Sequence, residues 1–217
     1  MGQSQTITPA LRFNFLTPIY DVVVRFATRE PRFKSLILDS MELANAEAVL
    51  DVGCGTGTLL LGIGNRFPSA HLLGLDADRR ILAIAARKLQ SSGIDVDLLH
   101  GYSTQMAVKD ESVDAVVSTL FFHHLRQDGK KKTVRVIWRV LRPGGSVYVA
   151  DWGRPTGLTQ RLAFYHVQLL DGFETTRGHV LEEPMSLFQG PQFRNVEEFA
   201  LVRTVFGTLR IFQATKV

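Results

Sequence analysis

At 217 residues, 45% of them apolar and 21% charged, the chain fits one large domain with a core of its own. Its formal charge of +4 is mild and spread along the sequence, which gives no basic stripe of the kind that marks a nucleic-acid binder. No apolar run reaches the roughly 18 residues of a membrane span, and no secretory leader is read at the N-terminus. The single cysteine, Cys54, rules out an internal disulfide and a cysteine-based metal site. The expectation is a cytoplasmic protein without a structural metal.

Residues 10–44 carry apolar side chains at helical spacing, from Leu11, Phe15 and Ile19 to Phe33, Ile37 and Met41, with Pro18 and Pro31 dividing them into short helices. From residue 48 the pattern changes to alternating strands and helices. Strands are predicted at 48–51, 71–75, 96–99, 114–118 and 146–150, and helices at 58–66, 79–91 and 131–141. In the helix at 79–91, Ile81, Leu82, Ile84, Ala85 and Leu89 are expected inward, with Asp78 as N-cap. Lys130, Lys131 and Lys132 read as a solvated helix start. Further helices follow Gly157, and strands at 196–204 and 208–214, joined near Gly207, read as an antiparallel hairpin at the sheet edge. This alternation implies an α/β fold: a Rossmann-like doubly wound sheet, mostly parallel, with helices on both faces.

The chemistry-bearing stretch is Val49-Leu50-Asp51-Val52-Gly53-Cys54-Gly55-Thr56-Gly57. A buried strand runs into a glycine-rich turn that opens a helix, where positive φ and free helix N–H groups let a ligand meet the backbone. The glycines stand at 53, 55 and 57, and residue 58 is Thr, so the Gly-x-Gly-x-x-Gly spacing of dinucleotide binders is missed by one. Asp76 ends the second strand about 20 residues on, where a carboxylate can reach both ribose hydroxyls of an adenosine ligand.

VLDVGCGTG, then GLDAD, then LRPGG before the fifth strand together resemble the class I S-adenosylmethionine-dependent methyltransferases, over about residues 48–153. Pro18-Ile19-Tyr20-Asp21, FFHHL at 121–125 and the C-terminal pattern from Thr204 to Lys216 are similar to a subgroup that includes ubiquinone/menaquinone-biosynthesis and phosphatidylethanolamine methyltransferases. The resemblance implies S-adenosylmethionine as cofactor and S-adenosylhomocysteine as product. It implies that Asp51, Gly53 and Gly55 hold the methionine end, that Gly57 belongs to the same cofactor-binding turn, that Asp76 binds the ribose and that Ala77 lies against the adenine. Tyr102 and Ser103 would approach the adenine edge. Many relatives have Asp where Tyr102 stands, so the Ser103 hydroxyl or a backbone carbonyl would replace that contact. Ser118, Thr119 and Leu120 would line the methyl side, and Tyr20 would close over the cofactor. The implied division is a lid at 1–44, a cofactor core at 45–153, substrate-covering helices at 154–195 and a hairpin at 196–217.

Methyl transfer from a sulfonium needs alignment and exclusion of water, and a base only when the nucleophile must lose a proton. His123 and His124, just after the fourth strand, are either packed structurally or serve as base or substrate contact. Asp151, at the end of the fifth strand, is a candidate contact on the same rim, and Trp152 a candidate pocket wall. Cys54 reads as a packing residue, and no metal ligand set is read. The segments outside the cofactor core are rich in Phe, Leu and Val, which favours a small apolar or aromatic acceptor, methylated on carbon, oxygen or nitrogen. Rival readings are an NAD(P)-dependent oxidoreductase, disfavoured by the glycine spacing, an RNA or protein methyltransferase, and a non-catalytic cofactor-binding module. Composition leaves the oligomeric state open.

Overall fold

The computed structural model describes residues 29–43, 47–153, 184–204 and 207–217. The core begins with β1 (Ala48–Val52), whose five residues are all buried. Such a strand can only lie in the middle of a sheet covered on both sides. It pairs in parallel with β2 (His71–Asp76) on one edge and with β4 (Val113–Thr119) on the other. β3 (Asp97–His100) adds to β2, and β5 (Leu141–Trp152) adds to β4, again in parallel. β7 (Thr208–Lys216) runs antiparallel between β5 and β6 (Phe193–Arg203), so the sheet order is β3-β2-β1-β4-β5-β7-β6. The strand order reverses between β1 and β4, and the crevice outside their carboxyl ends is where such sheets bind ligands.

Helices cover both faces. α1 (Glu30–Ser40), α2 (Thr58–Arg66) and α3 (Arg79–Ser91) share one core cluster with alternate side chains of the sheet. α4 (Gln127–Val140) closes the other face, with Phe122, Phe188, Phe193 and Phe212 packed edge-on beside it. α3 is capped as its sequence dictates, Asp78 accepting from the N–H groups of Arg80 and Ile81. Asp114 takes the Ala48 N–H at 2.8 Å and pairs with Arg142, which fastens the starts of β1, β4 and β5 together.

Four details depart from the sequence reading. α4 starts at Gln127, before the lysine run, and Lys130 is only 2% exposed. It shares the inward stripe with Thr133, Val134, Ile137 and Val140, while Lys131 and Lys132 fall on the outer face at helical spacing. In α3 the stripe is Leu82, Ala85 and Leu89, and Ile84 is exposed. Leu-Arg-Pro-Gly-Gly belongs to β5 rather than preceding it, absorbed where the register slips from Val113↔Leu141 to Ala115↔Ser146. The hairpin's two strands are longer than expected, and β7 lies inside the sheet with β6 at its edge.

Within the 1–44 segment, α1 packs against the sheet. Phe33 and Ile37 are fully buried, in the same cluster as Tyr148, Trp152, Leu209 and Ile211. Tyr20, with the rest of residues 1–28, lies outside the described residues, as do Phe164, Tyr165, His166, Phe173 and the helices expected after Gly157. Phe33→Ala should cost about 3–5 kcal/mol in urea unfolding, the range for a large aromatic removed from a packed core. A loss below about 1 kcal/mol would show α1 to be only loosely docked.

Candidate functional site

The glycine turn is fastened to the end of β2. The N–H groups of Gly53 and Cys54 both donate to the Leu75 carbonyl, at 2.8 and 3.0 Å, and the Gly55 N–H donates to Asp76 Oδ2 at 3.0 Å. Gly53 (φ +77°) has no room for a side chain, because an added Cβ would lie 2.3 Å from the Phe121 ring. Gly55 (φ +54°) faces open space, with nothing within 4 Å of such a Cβ. One glycine therefore lets Phe121 seat against the turn, and the other leaves a bare backbone surface for a ligand. Gly57 then takes the N-cap position of α2, which has no side-chain cap. Lys88 of α3 donates to the hydroxyls of Thr56 and Thr58, each at 3.0 Å, and so holds this start of the helix from one side.

Asp51 lies at the root of the turn. It is 1% exposed, and among the described residues its Oδ1 atom has no hydrogen-bond partner. Burial pushes its carboxyl up to about 7; the charge of Lys34 works against this rise, and that of Asp76 adds to it. A buried oxygen without a partner is costly unless a ligand supplies a donor. Asp76 Oδ1 accepts the Asp78 N–H at 2.9 Å, and each of its two carboxylate oxygens keeps acceptor capacity toward the crevice. Next to it, the Ala77 carbonyl accepts from His100 Nε2, while His100 Nδ1 accepts from Arg79. Tyr102 is exposed beside this wall. These features suit a ligand with an ammonium at one end and vicinal hydroxyls further along.

Some candidates turn elsewhere. Ser103 is buried and its hydroxyl is 2.7 Å from that of Thr133 on α4, so the side chain expected at the adenine edge is engaged in the core. Ser118, also buried, donates to the Val52 carbonyl and ties β4 to β1. Thr119 is half-buried at the strand end. Leu120 has a left-handed backbone, φ +51°, and its N–H donates to the Ala150 carbonyl at 2.8 Å. That conformation costs a branched aliphatic residue on the order of 1–3 kcal/mol and sends the chain back over the sheet toward Phe121 and His123. Burial pushes the Cys54 thiol well above its ordinary range, as suits a packing residue.

Beyond Leu120 the chain brings His123 against Asp151, at the carboxyl ends of β4 and β5. His123 Nδ1 lies 2.8 Å from Asp151 Oδ1, and both side chains are almost wholly buried. Asp151 also accepts the N–H groups of His123 and Trp152, so its carboxylate is held from several directions. The bond orients the imidazole with Nδ1 as donor and places basic character on Nε2. His124 is exposed and its ring lies tilted against that of His123, the centroids 3.9 Å apart and the planes inclined at 43°. Among the described residues no cluster of three or more metal-ligating side chains occurs, and no helix is long and apolar enough to cross a membrane. Lys34, Lys88 and His100 carry no sequence motif, and only their place in the fold singles them out; Phe121 belongs to the FFHHL stretch, whose packing against Gly53 the sequence does not show.

Residues 49–145 match the family described as a methyltransferase domain. The chain is 29% identical over 161 residues to the demethylmenaquinone methyltransferase of Thermus thermophilus, covering 71% of this chain and 72% of that one. It is 27% identical over 146 residues to the ubiquinone/menaquinone biosynthesis C-methyltransferase of Syntrophotalea carbinolica, covering 66% of this chain and 61% of that one. Among solved structures, an S-adenosylmethionine-dependent methyltransferase of Methanosarcina mazei superposes with a TM-score of 0.65 at 18% identity, over 81% of this chain and 94% of the other. A Haemonchus contortus phosphoethanolamine N-methyltransferase, in complex with phosphomonomethylethanolamine and S-adenosylhomocysteine, superposes with a TM-score of 0.66 at 16% identity, over 85% of this chain and 52% of the other.

The state of Asp51 can be read without any ligand. Its carboxyl is raised from 3.8 to about 7 in the fold, so between these values the folded protein holds a proton that the unfolded chain has released. This contribution to stability is complete below about pH 4, shrinks as pH rises toward 7 and is gone above it. Asp51→Asn removes that dependence. In thermal melts of the ligand-free protein, the variant should gain on the wild type as pH goes from 5 to 8, by about a few degrees at the upper end. Parallel curves would show that the carboxyl is not held protonated.

Proposed function

The chain is a class I S-adenosylmethionine-dependent methyltransferase, and from that premise we propose that its acceptor is a small apolar or aromatic molecule whose nucleophile gives its proton to His123. The observation that carries this reading is the buried 2.8 Å bond between His123 and Asp151 at the rim of β4 and β5. At 3% exposure, His123 is met only by an acceptor small enough to enter the fold, which favours a small molecule over RNA or a protein. The relatives named as demethylmenaquinone and ubiquinone/menaquinone methyltransferases support an aromatic, quinol-like ring as the first class to test, with carbon as the methylated atom. Oxygen or nitrogen methylation would use the same base.

The residues present fit the cofactor. The unpartnered Asp51 Oδ1 and the open backbone at Gly55 suit the methionine end, with Gly53 and Gly57 shaping the turn. The spare acceptor capacity of Asp76 suits the ribose hydroxyls, Ala77 the adenine face and Tyr102 its outer edge. With the Ser103 hydroxyl engaged by Thr133, the adenine edge falls to backbone groups of the turn. When bound, the cofactor supplies a methyl group on a positive sulfur. The protein then aligns and shields. Ser118 fixes β4 to β1, Thr119 and Leu120 bound the methyl side, and Tyr20 is assigned to closing the site. Asp151 holds the His123 ring in the orientation that takes a proton at Nε2, and His124 shields that ring from solvent. The lone buried cysteine suits a cytoplasmic setting.

Calorimetry should show binding of S-adenosylmethionine and S-adenosylhomocysteine and none of NAD. Asp76→Ala should weaken either by about 1.5–3 kcal/mol in a protein that still folds. With phenols, quinols and amines offered as acceptors and products followed by mass spectrometry, His123→Ala should lower kcat by about 10²–10⁴ with cofactor affinity nearly unchanged. Asp151→Asn should lower it in the same direction. Full turnover by His123→Ala on an accepted substrate would remove the base from the reading.

A further inference from the structure

The positive charge that looks spread along the sequence gathers on one helix. α4 carries five basic residues against one acidic, so its net charge equals the +4 of the whole chain. Lys130 is buried, but Asp128, Lys131, Lys132, Arg135 and Arg139 recur at helical spacing on the opposite side and form one outward stripe. Arg139 is engaged by Asp110 and by the carbonyls of Met106 and Val108. Those bonds fasten the loop before β4 to α4 and bring Lys109 beside the stripe. Lys109, Lys131, Lys132 and Arg135 are all exposed, and among the described residues none of them has an ion-pair partner.

The stripe starts at the rim that carries the His123–Asp151 pair, since α4 begins three residues after His124. Four unneutralised cations on a convex face attract an extended anionic surface. A face for single-stranded RNA would add aromatic platforms for the bases. The large apolar side chains exposed among the described residues, Ile84, Tyr102, Leu201 and Val217, all lie off α4. We propose that the outer face of α4, with Lys109, docks the protein on an anionic lipid surface and so brings the acceptor rim to the bilayer. The second half of this rests on the reading of an apolar, quinol-like acceptor, which partitions into lipid; the docking itself does not. No described helix is long and apolar enough to cross a membrane, so adsorption at the surface is the contact these helices offer. Each lysine or arginine near an anionic leaflet strengthens binding about 5-fold, and salt screens the gain, so the contact is reversible.

The test is flotation of the full chain with vesicles of phosphatidylcholine alone or with about 30% phosphatidylglycerol added, at about 0.1 M salt. The protein should float with the anionic vesicles only, and about 0.5 M salt should release it. Lys131→Gln, Lys132→Gln and Arg135→Gln together should weaken this binding at least about 20-fold. Arg32→Gln, Arg80→Gln and Arg87→Gln together remove as many exposed charges from α1 and α3, on the other face of the sheet, and should weaken it less than about 3-fold. Equal loss in the two triple variants, no loss in the first, or wild-type protein that ignores anionic vesicles would overturn the proposal. An α4 face that ignores vesicles and binds a single-stranded RNA probe would overturn it in favour of nucleic acid. With a water-soluble ring acceptor the α4 variant should keep wild-type turnover. With an acceptor bearing an apolar chain in anionic vesicles, its apparent KM should rise at least about 10-fold, and an unchanged KM would overturn the link to the rim. Vesicle binding without turnover of any ring would leave the docking face standing and sink the acceptor reading instead.

Discussion

A carboxyl group buried at the end of a central strand sets the terms for everything around it. Asp51 is placed there because β1 is covered on both faces, and the chain turns immediately after it. Water cannot reach its Oδ1 atom, and no donor among the described residues does. The fold tolerates this because the neighbourhood is pinned independently: the turn is bonded to β2 through Leu75 and Asp76, Ser118 ties β4 to β1, and Asp114 fastens the opposite ends of the same strands. Stability built elsewhere thus supports a residue that the empty fold would hold more cheaply as an uncharged one.

The second constraint is geometric. Where the strand order reverses, the chain leaving β4 has to clear the glycine turn and still return to α4. It does so through a left-handed Leu120, which seats Phe121 against Gly53 and swings His123 under the end of β5 onto Asp151. The same short segment therefore fixes the turn from above and sets the imidazole beside it. A strained residue at this point is consistent with a segment selected for position rather than for local comfort. The His123–Asp151 pair and the glycine turn become parts of one packed unit, so that changes at Phe121 would disturb both.

α1 gives the fold a feature that the strand–helix alternation does not require. The sheet is complete without it, yet its buried stripe packs into the same cluster as β5, β7 and α2. A helix anchored in this way holds Lys34 at a cleft between α1 and α2. Lys34 and Lys88 then face the start of α2 from opposite sides, one from α1 and the other from α3.

By itself the sequence determined whatever depends on neighbours along the chain. The strand–helix alternation, the glycine turn, Asp76 at its spacing, the Asp78 cap and the closing hairpin all rest on local periodicity and backbone preference, and these reappear in the fold with shifted bounds. Tertiary structure decided what depends on distance across the chain. His123 meets Asp151 although 28 residues separate them, and Lys34 acts on Asp51 from a helix that precedes the sheet. The Ser103 hydroxyl pairs with that of Thr133, 30 residues away, instead of facing the crevice, because the turn after β3 docks on α4. Lys130 goes inward and Ile84 outward because the start of one helix and the rotation of another are fixed by what they pack against, not by the polarity of single residues. Composition and spacing record which groups a chain carries; only burial and packing select which of them converge on one site and which are absorbed into the core.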